Sequence, residues 1–184
     1  MSVPAINIGI SEKDRENISQ GLSRVLTESF VLYLKTHSYH WNVTGPMFRT
    51  LHILFEEQYT ELWAALDEIA ERIRSLGFFA TGMLTGYNRL AASTEKDIAP
   101  NADEMIRDLI NGSETVSKIS REVLAIADKA GDDPTVDLLT NRMQVHEKNA
   151  WMLRSLLDTN QATVPVPGKK SAAKTAAKTG KSKK

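Results

Sequence analysis

The chain has 184 residues, 41% apolar and 25% charged, the size and composition of a soluble protein built on one sizeable core. It has no cysteine, which excludes disulfides, thiolate zinc sites and cysteine-ligated iron–sulfur clusters. It also has no apolar run near the roughly 20 residues a membrane helix needs. The formal charge of zero conceals an asymmetry: seven of the 23 basic residues and none of the 23 acids fall in residues 165–184, so an acidic body of −7 carries a tail of +7.

The N-terminus, MSVPAINIGISEKD, has no basic segment followed by a long apolar one, so no secretory signal is expected. Together with the lack of cysteine this fits a cytoplasmic protein. Four long helices are predicted. The first starts near Ser11, whose side chain suits a cap, with Glu12 and Asp14 in the first turn. Ile18, Leu22, Val25, Leu26, Leu32 and Val43 make an imperfect apolar stripe along it, and it should end before Thr44-Gly45-Pro46. The second runs from about Pro46 to Leu76 and stops at Gly77. Residues 78–99 form a connection with room for a short helix. The third starts at Asn101 with Glu104 completing a capping box, and ends before Gly131. The fourth has Asp133 as cap and Pro134 at its first position, and runs to about Leu157. No strand-like alternation appears, so the expected fold is an all-α bundle. Residues 159–184, rich in Lys, Ala, Ser, Thr and Pro, are too polar to pack and are expected to be disordered.

The second helix carries the chemistry. At 100° per residue, with His52 at 0°, Glu56 falls at about 40°, Asp67 at about 60° and Glu71 at about 100°, so all four share one face. His52 and Glu56 are spaced i,i+4, as are Asp67 and Glu71. The two pairs are nonetheless about 22 Å apart along the helix, too far for one metal ion. A two-fold axis near residues 61–62 removes the difficulty. Two antiparallel copies would set His52 and Glu56 of one against Asp67 and Glu71 of the other, giving two equal sites. Thr60 and Trp63 would then lie in the contact, and His40, at the end of the first helix, could complete each site. Imidazoles with carboxylates form a donor set that accommodates iron in both oxidation states. Glu57 and Glu61 are read as a solvated face, Trp41 as core, and His37 and His146 as structural.

In order and spacing, His40-Trp41-Asn42-Val43-x-Gly45, Leu51-His52 and Asp67-Glu68-x-Ala70-Glu71-Arg72 resemble the signature of the Dps proteins, the DNA-binding mini-ferritins of starved cells. The resemblance covers roughly residues 12–158. It implies a ferritin-like four-helix bundle with a short helix in the middle connection, assembled as a hollow homododecamer. It also implies a cytoplasmic, nucleoid-associated protein with no membrane partner. By position, His40, His52 and Glu56 of one subunit and Asp67 and Glu71 of its neighbour would hold the iron and form the catalytic site. Many members have Asp where this chain has Glu56. The bundle di-iron motif Glu-x-x-His is absent, which favours the intersubunit site over that of an ordinary ferritin. The reaction implied is oxidation of Fe(II), with hydrogen peroxide preferred over dioxygen, and storage of the ferric product inside the shell. Asp132, Asp133 and Asp137 stand where related chains carry pore-lining acids.

The tail lysines Lys169, Lys170, Lys174, Lys178, Lys181, Lys183 and Lys184 would displace counterions from DNA phosphates without reading bases. A second reading remains: a non-catalytic DNA-compacting nucleoid protein that keeps the same shell.

Overall fold

The computed structural model describes residues 5–80, 82 and 101–157. The expected short helix in the middle connection and the lysine tail lie outside them. Among the described residues there are four helices and no strand: α1 (Glu12–Asn42), α2 (Phe48–Ser75), α3 (Ala102–Lys129) and α4 (Asp133–Leu157). None is long and apolar enough to cross a membrane.

Local chemistry sets the helix ends. The Ser11 side chain accepts from the Asp14 amide and caps α1. Asn101 and Glu104 exchange side-chain and backbone bonds in a full capping box, which satisfies two amides that the helix itself cannot pair. Helix α2 starts at Phe48, two residues later than its sequence predicts. Gly45, at φ 102°, turns the chain, and Met47 caps without a side-chain bond. Both α2 and α3 close on a glycine in the left-handed region, Gly77 at φ 100° and Gly131 at φ 71°. The Phe78 amide returns to the Ile73 carbonyl and the Asp132 amide to the Ala127 carbonyl, so the last carbonyls find donors.

The cap of α4 is Asp132, not Asp133. The Asp132 carboxylate is fully buried and accepts from the Thr135 amide at 3.3 Å and the Thr135 hydroxyl at 2.6 Å. Pro134 is therefore the second helical residue. Arg72 of α2 donates to Asp132 at 2.5 Å and, through Nε, to Thr135 Oγ1 at 2.8 Å. Asp132 thus cannot line a pore; Asp133 and Asp137 are exposed. Asp132→Ala removes a cap and leaves a part-buried guanidinium unpaired, so it should destabilise the protein by about 3 kcal/mol. Chemical denaturation at fixed protein concentration measures this.

The core runs the length of the bundle, with Ile18, Leu22, Phe55, Ile69, Leu109, Val123, Leu139 and Leu153 all essentially inaccessible. Helices α1 and α3 approach closely over two glycines. A Cβ on Gly21 would lie 2.8 Å from Val123, and one on Gly112 would lie 2.7 Å from Leu32.

A polar layer crosses this core. Arg142 of α4, buried, grips the Glu61 carboxylate with both terminal nitrogens, one bond measuring 2.9 Å. Glu61 is therefore an ion-pair partner rather than part of a solvated face. His146, also buried, lies one turn from Arg142, its Nε2 accepting from the guanidinium at 3.4 Å. Its structural reading holds. Burial, reinforced by the Arg142 charge, lowers the His146 pKa from 6.5 to about 3. The unfolded chain then binds one more proton than the fold between those values. Stability from this group is complete above pH 6.5 and falls as pH drops toward 3, by up to about 1.4 kcal/mol per pH unit. Unfolding free energies of the native protein and His146→Gln between pH 7 and 5 should differ in slope by about 1 kcal/mol per pH unit, the native protein losing stability faster as pH falls.

Candidate metal centre

The two imidazoles of the sequence motif meet in space. His40 lies in the last turn of α1 and His52 in the second turn of α2. Their rings stack with centroids 3.8 Å apart and planes 17° apart. Each Nδ1 lies 2.8 Å from the other residue's backbone carbonyl. A carbonyl only accepts, so each Nδ1 carries the hydrogen and each Nε2 is left as a bare lone pair. The His40 carbonyl belongs to the last turn of α1, where the helix supplies no donor; the His52 ring supplies one. One reciprocal pair of bonds therefore joins two helices, orients both rings and fixes both tautomers for metal ligation. His40 is buried and His52 half-buried.

Glu56 follows one turn after His52 and is exposed; Asp67 and Glu71 are also exposed. Among the described residues none of these three carboxylates has a hydrogen-bond or ion-pair partner. Among the described residues of the single chain, no group of three or more His, Asp or Glu side chains converges as a metal cage. The structure thus brings together His40 and His52, carries Glu56 one turn further along the same helix, and leaves Asp67 and Glu71 further still toward its C-terminal end.

The surface beside Asp67 is unusual for an isolated chain. Leu26, Phe30, Trp63 and Leu66 line an open recess of about 890 Å³ next to Asp67. Trp63 is 63% exposed.

The sequence reading missed the rings around the histidine pair. His37 stacks on Tyr59 at 4.0 Å and packs against Trp41 at 4.2 Å, and its Nδ1 lies 3.2 Å from the Tyr33 hydroxyl. Trp41, expected in the core, is 65% exposed and contacts the bundle through His37. The spacing of Tyr33, His37, His40 and Trp41 at three and four residues is the signal that places them on neighbouring faces of α1.

Comparison with known proteins agrees with this fold. Residues 19–162 match the ferritin-like domain. An uncharacterised low temperature-induced protein of Nostoc sp. is 40% identical over 159 residues, which cover 85% of this chain and 88% of that protein. A DNA protection during starvation protein of Brevibacillus brevis is 37% identical over 140 residues, covering 74% of this chain and 92% of the relative. Among solved structures, the Dps protein of Vibrio cholerae O1 superposes with a TM-score of 0.80 at 30% identity, over 85% of this chain and 99% of that one. It is described as a member of a superfamily of ferritin-like diiron-carboxylate proteins. The chain belongs to the Dps family of ferritin-like proteins.

Proposed function

We propose that the protein is a ferroxidase and iron store that oxidises Fe(II), preferably with hydrogen peroxide, and binds DNA non-specifically through its lysine tail. The observation that carries this reading is the reciprocal hydrogen-bonded histidine pair. Two imidazoles locked in the tautomer that exposes Nε2, beside a free carboxylate at Glu56, are prepared to ligate a divalent ion. Asp67 and Glu71 of a neighbouring copy complete the site, with the apolar recess around Trp63 closing the contact between subunits. The assembly is a hollow homododecamer, as in the family resemblance.

Fe(II) is the substrate, and the ligand set shapes its oxidation. Carboxylates stabilise the Fe(III) product, while neutral imidazole tolerates both states. Two neighbouring Fe(II) each give one electron to one peroxide, whose O–O bond breaks to yield two waters once two protons are added, so no hydroxyl radical escapes. The net acidic body draws Fe(II) inward. The bundle, residues 12–158, carries this chemistry. The segment 159–184 carries DNA binding, with Lys169, Lys170, Lys174, Lys178, Lys181, Lys183 and Lys184 as its charges. This fits a cytoplasmic, nucleoid-associated protein that limits oxidative damage.

Anaerobic Fe(II) titrated with hydrogen peroxide tests the reading. Two Fe(II) should be consumed per peroxide, faster than with dioxygen. A protein that binds DNA but leaves the background oxidation rate unchanged would be the non-catalytic compacting protein instead.

A further inference from the structure

Inside the bundle, side chains of the metal-ligand type face a cation that is the protein's own. Arg142, with only 5% of its side chain exposed, holds the Glu61 carboxylate with both terminal nitrogens, and His146 Nε2 faces the same guanidinium at 3.4 Å. A guanidinium only donates, so His146 presents a bare Nε2 lone pair and carries its hydrogen on Nδ1. Gln58, buried one turn before Glu61, has no partner for its amide nitrogen, and the other end of that amide is an oxygen donor. Stability does not account for this layer. Arg142 Nε and His146 Nδ1 are also buried without an acceptor among the described residues, which costs free energy. Apolar side chains of the same volume are often a more stable filling than a buried ion pair. Nor is the layer sealed. Glu61 keeps 37% of its side chain exposed. With Gln58 it lines an open groove of about 260 Å³ between α2 and α4, together with Glu57, Lys148 and Asn149.

We propose that Gln58, Glu61 and His146 form a divalent-metal site that Arg142 occupies, and that this guanidinium keeps the interior of the subunit closed to metal ions. A carboxylate, a neutral imidazole and an amide oxygen are ligands for Fe(II), Co(II) and Zn(II) alike, and the groove beside Glu61 gives such ions an entry path. An ion can enter only by displacing a charge that does not deprotonate and that the chain itself tethers in place. The lone pairs it needs are already engaged, and the guanidinium repels it. The consequence for iron rests on the ferroxidase reading above. Fe(II) lodged singly between Glu61 and His146 would be withheld from the shared centre at His40 and His52, and Arg142 leaves that centre as the site that fills. Arg142 is thus a specificity-determining residue that itself touches no iron.

Co(II), whose visible absorption reports its ligands, tests this on the full-length assembled protein. His52→Ala silences the shared centre in every sample. Adding Arg142→Met, which removes the charge but keeps an unbranched side chain, should create one Co(II) site per subunit in equilibrium dialysis, with new visible bands. Zn(II) should raise the unfolding temperature of this variant and not of His52→Ala alone. Adding His146→Gln should abolish both effects. Arg142→Lys, which keeps the charge, should bind no more Co(II) than His52→Ala itself. Should Arg142→Met fail to fold in metal-free buffer, Zn(II) should restore its helical circular dichroism. A folded Arg142→Met that binds no added Co(II), a Lys variant that binds as much as the Met variant, or a Met variant unfolded with and without Zn(II) would each overturn the proposal. The ferroxidase reading fails separately, if the native protein does not oxidise Fe(II). The steering of iron then falls with it, while Co(II) binding still decides whether the site exists.

Discussion

Replacing His52 with Ala should lower the rate of peroxide-driven Fe(II) oxidation by more than about 100-fold, the upper end of the cost of losing a mere supporting partner of a metal ligand. The change removes one Nε2 donor and also the Nδ1–H that bonds the His40 carbonyl, while His40 Nδ1 keeps its bond to the backbone carbonyl of residue 52. The fold should survive, because His52 is only half-buried and the core of α2 is carried by Leu51, Phe55, Leu62, Ile69 and Ile73. Asp67→Asn should be similarly damaging for a different reason. Asp67 is exposed in the single chain, so its loss costs little stability, but an amide cannot offer the charge that Fe(III) requires. Stopped-flow absorbance of the ferric product, with sedimentation to confirm assembly, measures both variants.

Deleting residues 168–184 should abolish DNA binding at moderate salt while ferroxidation persists. The segment holds seven Lys and no acid, and what remains has a net charge of −7, a body that repels a polyanion. For the intact protein, affinity should be independent of sequence and fall with salt at a log–log slope near −0.9 per neutralised phosphate. Tails from several subunits would act together, so modest contacts per tail give firm overall binding. Gel-shift titration of the two forms at several salt concentrations decides this. Equal affinity would return the tail to a solubilising role.

Much of the fold is legible from local chemistry. Ser11, the Asn101–Glu104 box, Gly77 and Gly131 each end a helix where the sequence places it, because each acts within a few residues of itself. The errors arise where a distant partner decides. Asp132 and Asp133 satisfy the same capping rule, and the choice falls to Asp132 through Arg72, 60 residues away. Glu61 looks like any exposed helical carboxylate until Arg142, 81 residues on, reaches it. Trp41 reads as core by composition, yet the helix ends at Asn42 and leaves its ring outside.

The candidate centre divides along the same line. The i,i+4 pairs His52–Glu56 and Asp67–Glu71 and their shared face follow from helical geometry alone. The reciprocal bonds of His40 and His52 do not, because they depend on how α1 and α2 dock after the turn at Gly45. The two halves of the ligand set stand about four turns apart on α2, and the proposed centre needs a second copy to bring them together.

Mixing the two inactive variants addresses that point most directly. His52→Ala and Asp67→Asn subunits, dissociated, combined and reassembled, form mixed pairs. In such a pair one site lacks both ligands, while the other draws native His52 from one subunit and native Asp67 from its neighbour. The account predicts that peroxide-driven Fe(II) oxidation returns to a measurable fraction of the native rate, although each variant alone is inactive. No recovery, with subunit mixing verified by mass spectrometry of the assemblies, would contradict a ferroxidase centre shared between subunits.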